Sequence, residues 1–506
     1  MPNRKIILII AIFCIVKLIL HLVADSNSGF QGDELLHIQA GNYPAFGYME
    51  FPPMIGWLAF MQNQFDSQSV FVHHIFSHLA SVFILIIVAL ITMELGGKAK
   101  AVFIALLCIL SAPAFGRGHQ LFQPVVFTHL CWLFSFYQLV RFTKTLDKKY
   151  LLYLTIGVGL GFLTKYDILF FIAGLAGLLL IQCTRTSILQ KDIWKYILLF
   201  LVLVTPNVLW QYKHRFPVVD MFSRLYETQL DKLTILEVFG SIIISLNPIT
   251  LCFWVGGMFF MLKKNIHNIY RPIALTIIIS IAMLALNKSK PYYFYPAMIT
   301  LIIFGSIWFE QRILAKRKWI LFPATALLIV SGIVLIPFGL AVLPLDTFIK
   351  FAGIEKQENG YEIEYKEYYS KEKWEKTMVG LKTVYDSLPS NERINCLVWG
   401  KHYSQAGGVN LFRKVYGIPE AFSYHGSFYL WAPRIGELPA TVIAFSNGEA
   451  GIGFFQPFFR SVVAVKKIFN PYADDEKDLW QTIYICQDPV MNFDQLRTEF
   501  KTRVFE

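Results

Sequence analysis

Residues 5–24 read KIILIIAIFCIVKLILHLVA, and residues 25–37, which follow, read DSNSGFQGDELLH. The first stretch is as long and as apolar as a helix that crosses a lipid bilayer, which needs about 20 such residues. The second stretch is polar and contains two adjacent acidic residues. Basic residues precede the apolar run as in a signal peptide, but no small-residue cleavage site is evident near Ala24, so we expect a retained membrane anchor.

The rest of the chain extends this membrane character. Of its 506 residues, 55% are hydrophobic and only 16% are charged, whereas roughly a quarter are charged in ordinary soluble proteins. This composition excludes a single soluble globule and a disordered chain. No dense basic face interleaved with aromatic residues is present, so we expect no nucleic-acid partner.

Apolar runs near spanning length recur from the start of the chain to about residue 343. They predict a multi-pass α-helical membrane protein with about eleven transmembrane helices, of which the fifth and the ninth are short. The predicted spans are residues 5–24, 71–93, 99–115, 121–142, 151–163, 166–182, 196–212, 238–262, 272–286, 292–309 and 319–343.

The loops between these spans differ in charge. If the N-terminus is cytoplasmic, the inner side holds about 18 basic residues and the outer side about 8, as the positive-inside rule requires. The C-terminal tail then emerges outside the cytoplasmic membrane. The inner loops are residues 98–100, 141–149, 185–195, 263–271 and 312–318, and the outer loops include residues 25–53, 116–120, 214–237 and 287–291.

The chain changes character near residue 345. We expect a membrane domain over residues 1–345, with its first outer loop at 25–53, and a soluble extracytoplasmic α/β domain over residues 346–506. Cys396 and Cys486 lie on two predicted strands of that domain, so a disulfide between them is one alternative. The predicted strands are residues 394–399, 441–445, 461–465 and 481–485, and the predicted helices are residues 371–387 and 492–500.

The first outer loop contains the most informative residues. Asp33 and Glu34 are followed by the stretch FGYMEFPPMIGW at residues 46–57, which contains Glu50. Paired carboxylates just beyond a membrane helix are costly to desolvate and are rarely placed there for packing. The alternative is that Asp33 caps a helix whose first turn contains Glu34. Capping and catalysis are compatible, because a cap fixes the direction of a carboxylate.

Together with three other segments, this loop resembles glycosyltransferase family 39 of the GT-C superfamily, the relatives of protein O-mannosyltransferases and of the lipid A aminoarabinose transferase. The resemblance spans about residues 1–345, and its motifs occur in the expected order. They are Asp33-Glu34, the stretch at 46–57, GLGFLTKYDILFF at 159–171, PNVLWQ at 206–211 and KPYYFYP at 290–296.

The resemblance implies an inverting GT-C glycosyltransferase that uses a polyprenyl-phosphate sugar as donor. The acceptor would be an envelope glycan, lipid or protein on the outer face of the bacterial inner membrane, and no cofactor is implied. Asp33 matches the first acidic position of the motif and would be the catalytic base, taking the proton of the acceptor hydroxyl. Glu34 would orient Asp33 or the acceptor.

A phosphate leaving group requires fixed positive charge or amide donors. Lys165 is the main candidate, and snorkelling to the membrane interface is its alternative explanation. Tyrosines near it could line the sugar or lipid pocket or belong to the interfacial aromatic belt. The full set of expected substrate-binding residues is Glu50, Lys165, Tyr166, His119, Lys290, Tyr292 and Tyr293, with Lys213, Arg215 and Lys288 as further outer cations.

The sequence departs from the family pattern at two places. Relatives of the aminoarabinose type have a Lys before the Pro-Pro pair, where this chain has Phe51, and many members have Asp entering the fourth helix, where this chain reads QPVVFTHL at 123–130. His119 lies nearby, but a lone His is more often a hydrogen-bonded interfacial residue than a ligand. We therefore expect no metal site.

Two other function classes fit part of the pattern. A transporter or flippase would also have many spans, but would place polar groups at mid-membrane on broken helices and often show repeated halves. Here most ionisable residues lie in outer loops, with Lys17 as an exception, and no repeat is visible. A catalytically inactive relative that binds glycan is the third possibility, and the missing second-loop acids favour it slightly.

Overall fold

The computed structural model describes residues 4–189, 192–262, 270–357, 360–361, 363, 367–448, 451–473 and 479–505. Residues 190–191 and 263–269, which belong to two expected inner loops, lie outside these ranges. The chain divides into two compact units. The helical unit takes residues 1–23, 51–54 and 74–342, and the mixed unit takes residues 24–50, 55–73 and 343–506.

Long apolar helices form the helical unit. Among the described residues, six helices are long and apolar enough to cross a membrane. The windows of Ile193–Lys213 and Lys318–Phe338 are only 11% buried, so their apolar side chains face outward, as lipid contact requires. The six are Arg4–Asn27, Val70–Glu94, Pro124–Thr145, Ile193–Lys213, Pro291–Ile313 and Lys318–Phe338.

Three further spans are bent pairs of helices, which raises the count to nine within the described ranges. In two of them the second element begins with proline, at Pro113 and Pro248, where a missing N–H and a fixed φ favour a new start. The pairs are Ala99–Leu110 with Pro113–Gln120 (71°), Ile168–Leu180 with Gln182–Ile188 (111°), and Ile235–Ser245 with Pro248–Leu262 (104°).

Two shorter apolar helices, Lys149–Thr164 and Tyr270–Leu286, complete the set, and Pro217–Leu225 is a shorter helix between spans. Each of the eleven predicted spans coincides with one of these helices or bent pairs. The two short helices are the fifth and ninth predicted spans. The other nine are long and apolar enough to cross a membrane if each bent pair counts as one span. The predicted class, a multi-pass α-helical membrane protein, is confirmed.

Several loops predicted for the inner side contact one another at one end of the helical unit. The Glu94 carboxylate binds Arg141 at 3.0 Å and Lys144 at 2.8 Å. The Glu310 carboxylate accepts a hydrogen bond from the backbone N–H of Lys98 at 2.7 Å. These contacts join residues whose loops the alternating pattern assigns to the same side.

A five-stranded sheet lies at the centre of the mixed unit, with the strand order β2-β1-β3-β5-β4. β1 runs parallel to β2 and β3, whereas β5 is antiparallel to β3 and β4. The four predicted strands are confirmed, and the short β2 is additional. The strands are β1 (Leu397–Gly400), β2 (Ala421–Phe422), β3 (Thr441–Asn447), β4 (Phe459–Phe469) and β5 (Trp480–Pro489).

Helices cover this sheet, and aromatic side chains fill its core around the fully buried Trp399. Both predicted helices are present, as Glu367–Ser387 and Phe493–Phe500. Helix Tyr403–Tyr416 was not predicted, because its adjacent glycines disfavour a helix in isolation. The other helices are Gly32–Ala40, Met54–Asn63, Leu345–Ala352, Ser390–Arg393, Phe428–Trp431 and Gly451–Phe455.

The disulfide that the sequence left open does not form. Cys396 and Cys486 are both free and buried. Cys396 directly precedes β1, whereas Cys486 on β5 pairs with Val442 on β3, so β3 lies between them. Strands two positions apart are separated by about 10 Å, which is beyond the reach of a disulfide.

Candidate functional site

The first outer loop folds into helix Gly32–Ala40, which carries both predicted acids at its start. The Glu34 carboxylate accepts a hydrogen bond from the backbone N–H of Gln31 at 2.8 Å, and its residue is fully buried. Glu34 therefore helps to close the helix N-terminus, the task that the alternative explanation gave to Asp33. This leaves the exposed carboxylate of Asp33 available for another partner.

Tyr403 supplies that partner. Its hydroxyl donates a hydrogen bond to Asp33 Oδ1 at 2.6 Å, from the first residue of helix Tyr403–Tyr416. Burial, together with the negative charges of Asp33 and Glu50, raises the pKa of Tyr403 well above its ordinary value. The hydroxyl therefore stays protonated and remains a donor at physiological pH.

Glu50 is held by the C-terminal part of the same unit. The backbone N–H of Ser427 donates to Glu50 Oε1 at 2.7 Å, and the Ser427 hydroxyl donates to Oε2. Gly426 allows this approach, because a Cβ at that position would lie 1.9 Å from Oε1 and its φ is +58°. A larger residue at this position would have to displace the Glu50 carboxylate and adopt a strained φ.

The two acids in this site have different environments. Burial raises the pKa of Glu50 to about 7, although the hydrogen bonds from Ser427 act in the opposite direction and the charge of Asp33 adds to the rise. Asp33 is exposed and bound by a neutral phenol. One carboxyl is thus open to an incoming hydroxyl, while the other titrates near neutral pH.

Two histidines pack against Tyr403. The ring of His402 lies 3.9 Å from the Tyr403 ring, and the ring of His425 lies 4.9 Å away. Burial, with the neighbouring Lys401 charge, lowers the pKa of His425 to about 4, and burial also lowers the pKa of His402. Both rings are therefore neutral near pH 7. We call Asp33, Glu50, Tyr403, His425 and Ser427 the acid cluster.

A second polar group, the lysine cluster, lies in the helical unit. Lys165 ends helix Lys149–Thr164, and its Nζ lies 3.7 Å from Asp167 Oδ2. The same ammonium group lies over the rings of Tyr292 at 4.4 Å and Tyr293 at 4.2 Å, within the range of cation–π attraction. Thr128 donates a hydrogen bond to Asp167 at 2.8 Å.

Three sequence-predicted residues therefore come together in this cluster: Lys165, Tyr292 and Tyr293. The side chain of Lys165 is only 18% exposed, so snorkelling into open solvent does not describe it. Asp167 was not predicted, although it lies two residues after Lys165 in the quoted motif. An ammonium group beside one buried carboxylate and two aromatic rings can also donate a hydrogen bond to an anionic oxygen.

Other predicted binding residues have different neighbours. The Tyr166 hydroxyl donates to Asn207 Oδ1 at 2.9 Å, which joins two of the quoted motifs. His119 is buried, with its ring nitrogen 3.2 Å from that of His129. Lys290 Nζ donates to Gln229 at 2.5 Å.

Residues 424–431 read YHGSFYLW, an aromatic stretch suited either to stacking on a sugar ring or to packing in the core. It contains His425 and Ser427, whereas nothing in the sequence indicated Tyr403. In the structure Tyr424 is buried and stacks on Phe500 at 4.9 Å, so its ring packs in the core. Ser427 lies in the same stretch and binds Glu50.

Comparison with known proteins bears out the resemblance that the motifs indicated. Residues 50–210 match the model of a family described as dolichyl-phosphate-mannose-protein mannosyltransferase. A comparison with curated proteins finds no match.

Two solved structures cover nearly the whole chain. The structure of ArnT from Cupriavidus metallidurans bound to undecaprenyl phosphate is similar over 94% of this chain and 97% of its own, with a TM-score of 0.58 and 13% identity. ArnT in the apo state covers the same shares, with a TM-score of 0.60 and 12% identity. The predicted fold class, a GT-C-like membrane protein with a C-terminal α/β region, is confirmed.

Proposed function

We propose that this GT-C-fold membrane protein is an inverting glycosyltransferase that moves a sugar from a polyprenyl-phosphate donor to an acceptor hydroxyl. The observation that carries the proposal is the exposed Asp33 carboxylate, which Tyr403 holds at 2.6 Å. The match of residues 50–210 to a sugar-transferase family supports the reaction class, and the undecaprenyl phosphate bound by ArnT supports the class of donor.

In the reaction, the acceptor oxygen attacks the anomeric carbon of the donor while Asp33 takes the hydroxyl proton. The bond between the anomeric carbon and the phosphate oxygen breaks, and the polyprenyl phosphate leaves with the electron pair of that bond. Inversion follows from attack on the face opposite the leaving group. Glu34 supports Asp33 by fixing the helix on which it lies.

We assign the lysine cluster to the phosphate of the donor. Lys165 provides a fixed positive charge, which stabilises negative charge on a departing phosphate. The rings of Tyr292 and Tyr293 both contact the ammonium group and help to hold it in place. Tyr166, His119 and Lys290 complete the expected binding residues of the helical unit.

The direct test compares the envelopes of cells with and without the gene by mass spectrometry of their lipids and glycoproteins. A glycan, lipid or protein that loses one sugar in the deletion strain, and regains it only with a chain that retains Asp33, identifies the acceptor. An unchanged envelope favours the inactive glycan-binding relative. Equal transport of labelled donor across vesicles with and without the protein argues against the flippase.

We also propose that the C-terminal region is extracytoplasmic in the inner membrane, since about 18 basic residues lie in the loops of the opposite side against about 8. Ile435 is 89% exposed and Thr186 is exposed, so a cysteine at either position reports its side. In a variant with Cys183 replaced by Ser, Ile435→Cys should label in intact cells with an impermeant reagent, whereas Thr186→Cys should not. The reverse pattern contradicts the orientation.

A further inference from the structure

The mixed unit contains a cavity of about 370 Å³ whose polar lining includes five side-chain amides. Its volume falls within the roughly 300–1,000 Å³ of ligand sites. We call it the carboxamide pocket. Its lining includes Gln39, Asn42, Asn63, Gln68 and Asn410, with Tyr43 beside them.

The pocket lies on the same two helices as the acid cluster. Helices Gly32–Ala40 and Tyr403–Tyr416 pack closely, since a Cβ at Gly407 would lie 2.9 Å from the carbonyl oxygen of Leu35. Asp33 and Tyr403 meet at the N-terminal ends of these helices. Gln39 lies six residues after Asp33, which at 1.5 Å per residue places the pocket about 9 Å further along.

Hydrogen bonds link three of the pocket amides in a chain. The Asn63 amide donates to Asn42 Oδ1 at 2.9 Å, and the Asn42 amide donates to Gln39 Oε1 at 3.3 Å. Tyr43 stacks on Trp431 with ring centroids 4.9 Å apart and planes 8° apart, which fixes its ring at the pocket wall. Amides and an aromatic face offer both donors and acceptors, with an apolar surface next to them.

The charged side chains of the pocket are already paired. Lys414 binds both carboxylate oxygens of Asp66, at 2.7 and 2.8 Å, and Arg413 lies 3.8 Å from Glu420. The charges of these two cations and two anions cancel, so the four side chains give the pocket no net charge. A neutral ligand rich in hydroxyl or acetamido groups suits this chemistry better than a phosphate or a carboxylate.

We propose that the carboxamide pocket binds a neutral glycan segment of the acceptor, which places a hydroxyl of a neighbouring sugar at Asp33. The inference rests on the proposed function, because it takes Asp33 as the point of transfer. It narrows the acceptor to a molecule with at least one sugar beyond the one that reacts. A separation of about 9 Å between the pocket and Asp33 requires such an extended acceptor.

The test measures binding of a panel of neutral oligosaccharides to the full-length protein in detergent. The panel contains glucose, mannose and N-acetylglucosamine oligomers of one to five residues. We expect affinity for at least one series to rise with length, and Asn42→Leu to weaken it about tenfold. Asn287→Leu is the matched control, since Asn287 is an exposed amide of the helical unit, and it should leave affinity unchanged.

Titration with undecaprenyl phosphate on the same samples separates the two proposals. Undecaprenyl phosphate binding that is equal in wild type and Asn42→Leu, combined with the loss of oligosaccharide affinity in the variant, supports both. If the phosphate binds but no oligosaccharide does, or if Asn42→Leu binds oligosaccharides as wild type does, the pocket proposal is overturned and the proposed function stands. If the protein binds an oligosaccharide but not undecaprenyl phosphate, the proposed polyprenyl-phosphate donor is overturned instead.

Discussion

The acid cluster and the lysine cluster are assembled in opposite ways. Asp167 lies two residues after Lys165, and the two aromatic contacts of Lys165, Tyr292 and Tyr293, are next to each other in the sequence. The acids instead find partners in the last third of the chain, with Tyr403 370 positions after Asp33 and Ser427 377 positions after Glu50. One short motif therefore contains both Lys165 and Asp167 of the lysine cluster, whereas no motif contains an acid of the acid cluster together with its partner.

The largest expected effect comes from Asp33→Asn, which removes the exposed carboxylate of the acid cluster. The amide keeps the size of the carboxylate and can still accept the hydrogen bond from Tyr403, but it is not a base. Transfer should fall by about 10² to 10⁴, the usual loss for a general base. Asp386→Asn is the control, since Asp386 is exposed and forms a surface ion pair with Lys382, which contributes little to stability. A rate near wild type would move the role of base to Glu50.

The lysine cluster is tested by donor affinity. Lys165→Met keeps the apolar stem and removes the charge, so binding of undecaprenyl phosphate should weaken by roughly 1.5–3 kcal/mol, as for a charge-assisted hydrogen bond. Lys165→Arg should retain part of the affinity. Because Lys165→Met leaves the buried Asp167 without its cation, a double variant with Asp167→Asn shows whether lost affinity is only lost folding. Equal affinity in wild type and both variants would exclude phosphate contact.

Glu50 gives the acid cluster a pH dependence that can be measured as stability. Its pKa is about 7 in the folded protein against 4.5 as the ordinary value, so the folded state holds more protons between these two pH values. The free energy of unfolding should therefore fall as pH rises from about 4.5 to 7. In Glu50→Gln the total fall in the free energy of unfolding across that window should be smaller by about 2 kcal/mol.

The measurement is chemical unfolding in detergent at pH 5, 6, 7 and 8, followed by tryptophan fluorescence. Glu437→Gln is the control, since Glu437 is exposed. Parallel slopes for wild type and Glu50→Gln would mean that Glu50 is ionised in the folded protein throughout this range.

The smallest effect is expected for Tyr403→Phe, which removes a hydroxyl that positions Asp33 and leaves the ring stacking intact. We expect kcat to fall about tenfold with little change in KM, because a hydrogen bond to a charged group contributes roughly 1.5 kcal/mol or more. Tyr416→Phe on the same helix is the control. A change in KM alone, or an equal loss in Tyr416→Phe, would contradict a positioning role.

The sequence predicted what depends on local pattern. Hydropathy located the spans because each is a long apolar run, and alternation located four strands of the sheet. The cluster around Lys165 could be anticipated because its residues lie within two quoted motifs. Neither Tyr403 nor Ser427 could be paired with an acid in advance, because no periodic pattern specifies a contact across about 370 residues.

The separation between Asp33 and Tyr403 also has a consequence in time. Ribosomes add about 5–20 residues per second, so the 370 residues between these two positions take roughly 20–70 s to synthesise. Throughout that interval the nascent chain already contains the acid of the first loop but lacks the phenol that holds it. A polypeptide released before Tyr403 therefore cannot assemble the acid cluster. The proposed base gains its hydrogen-bond partner only after most of the chain has been synthesised.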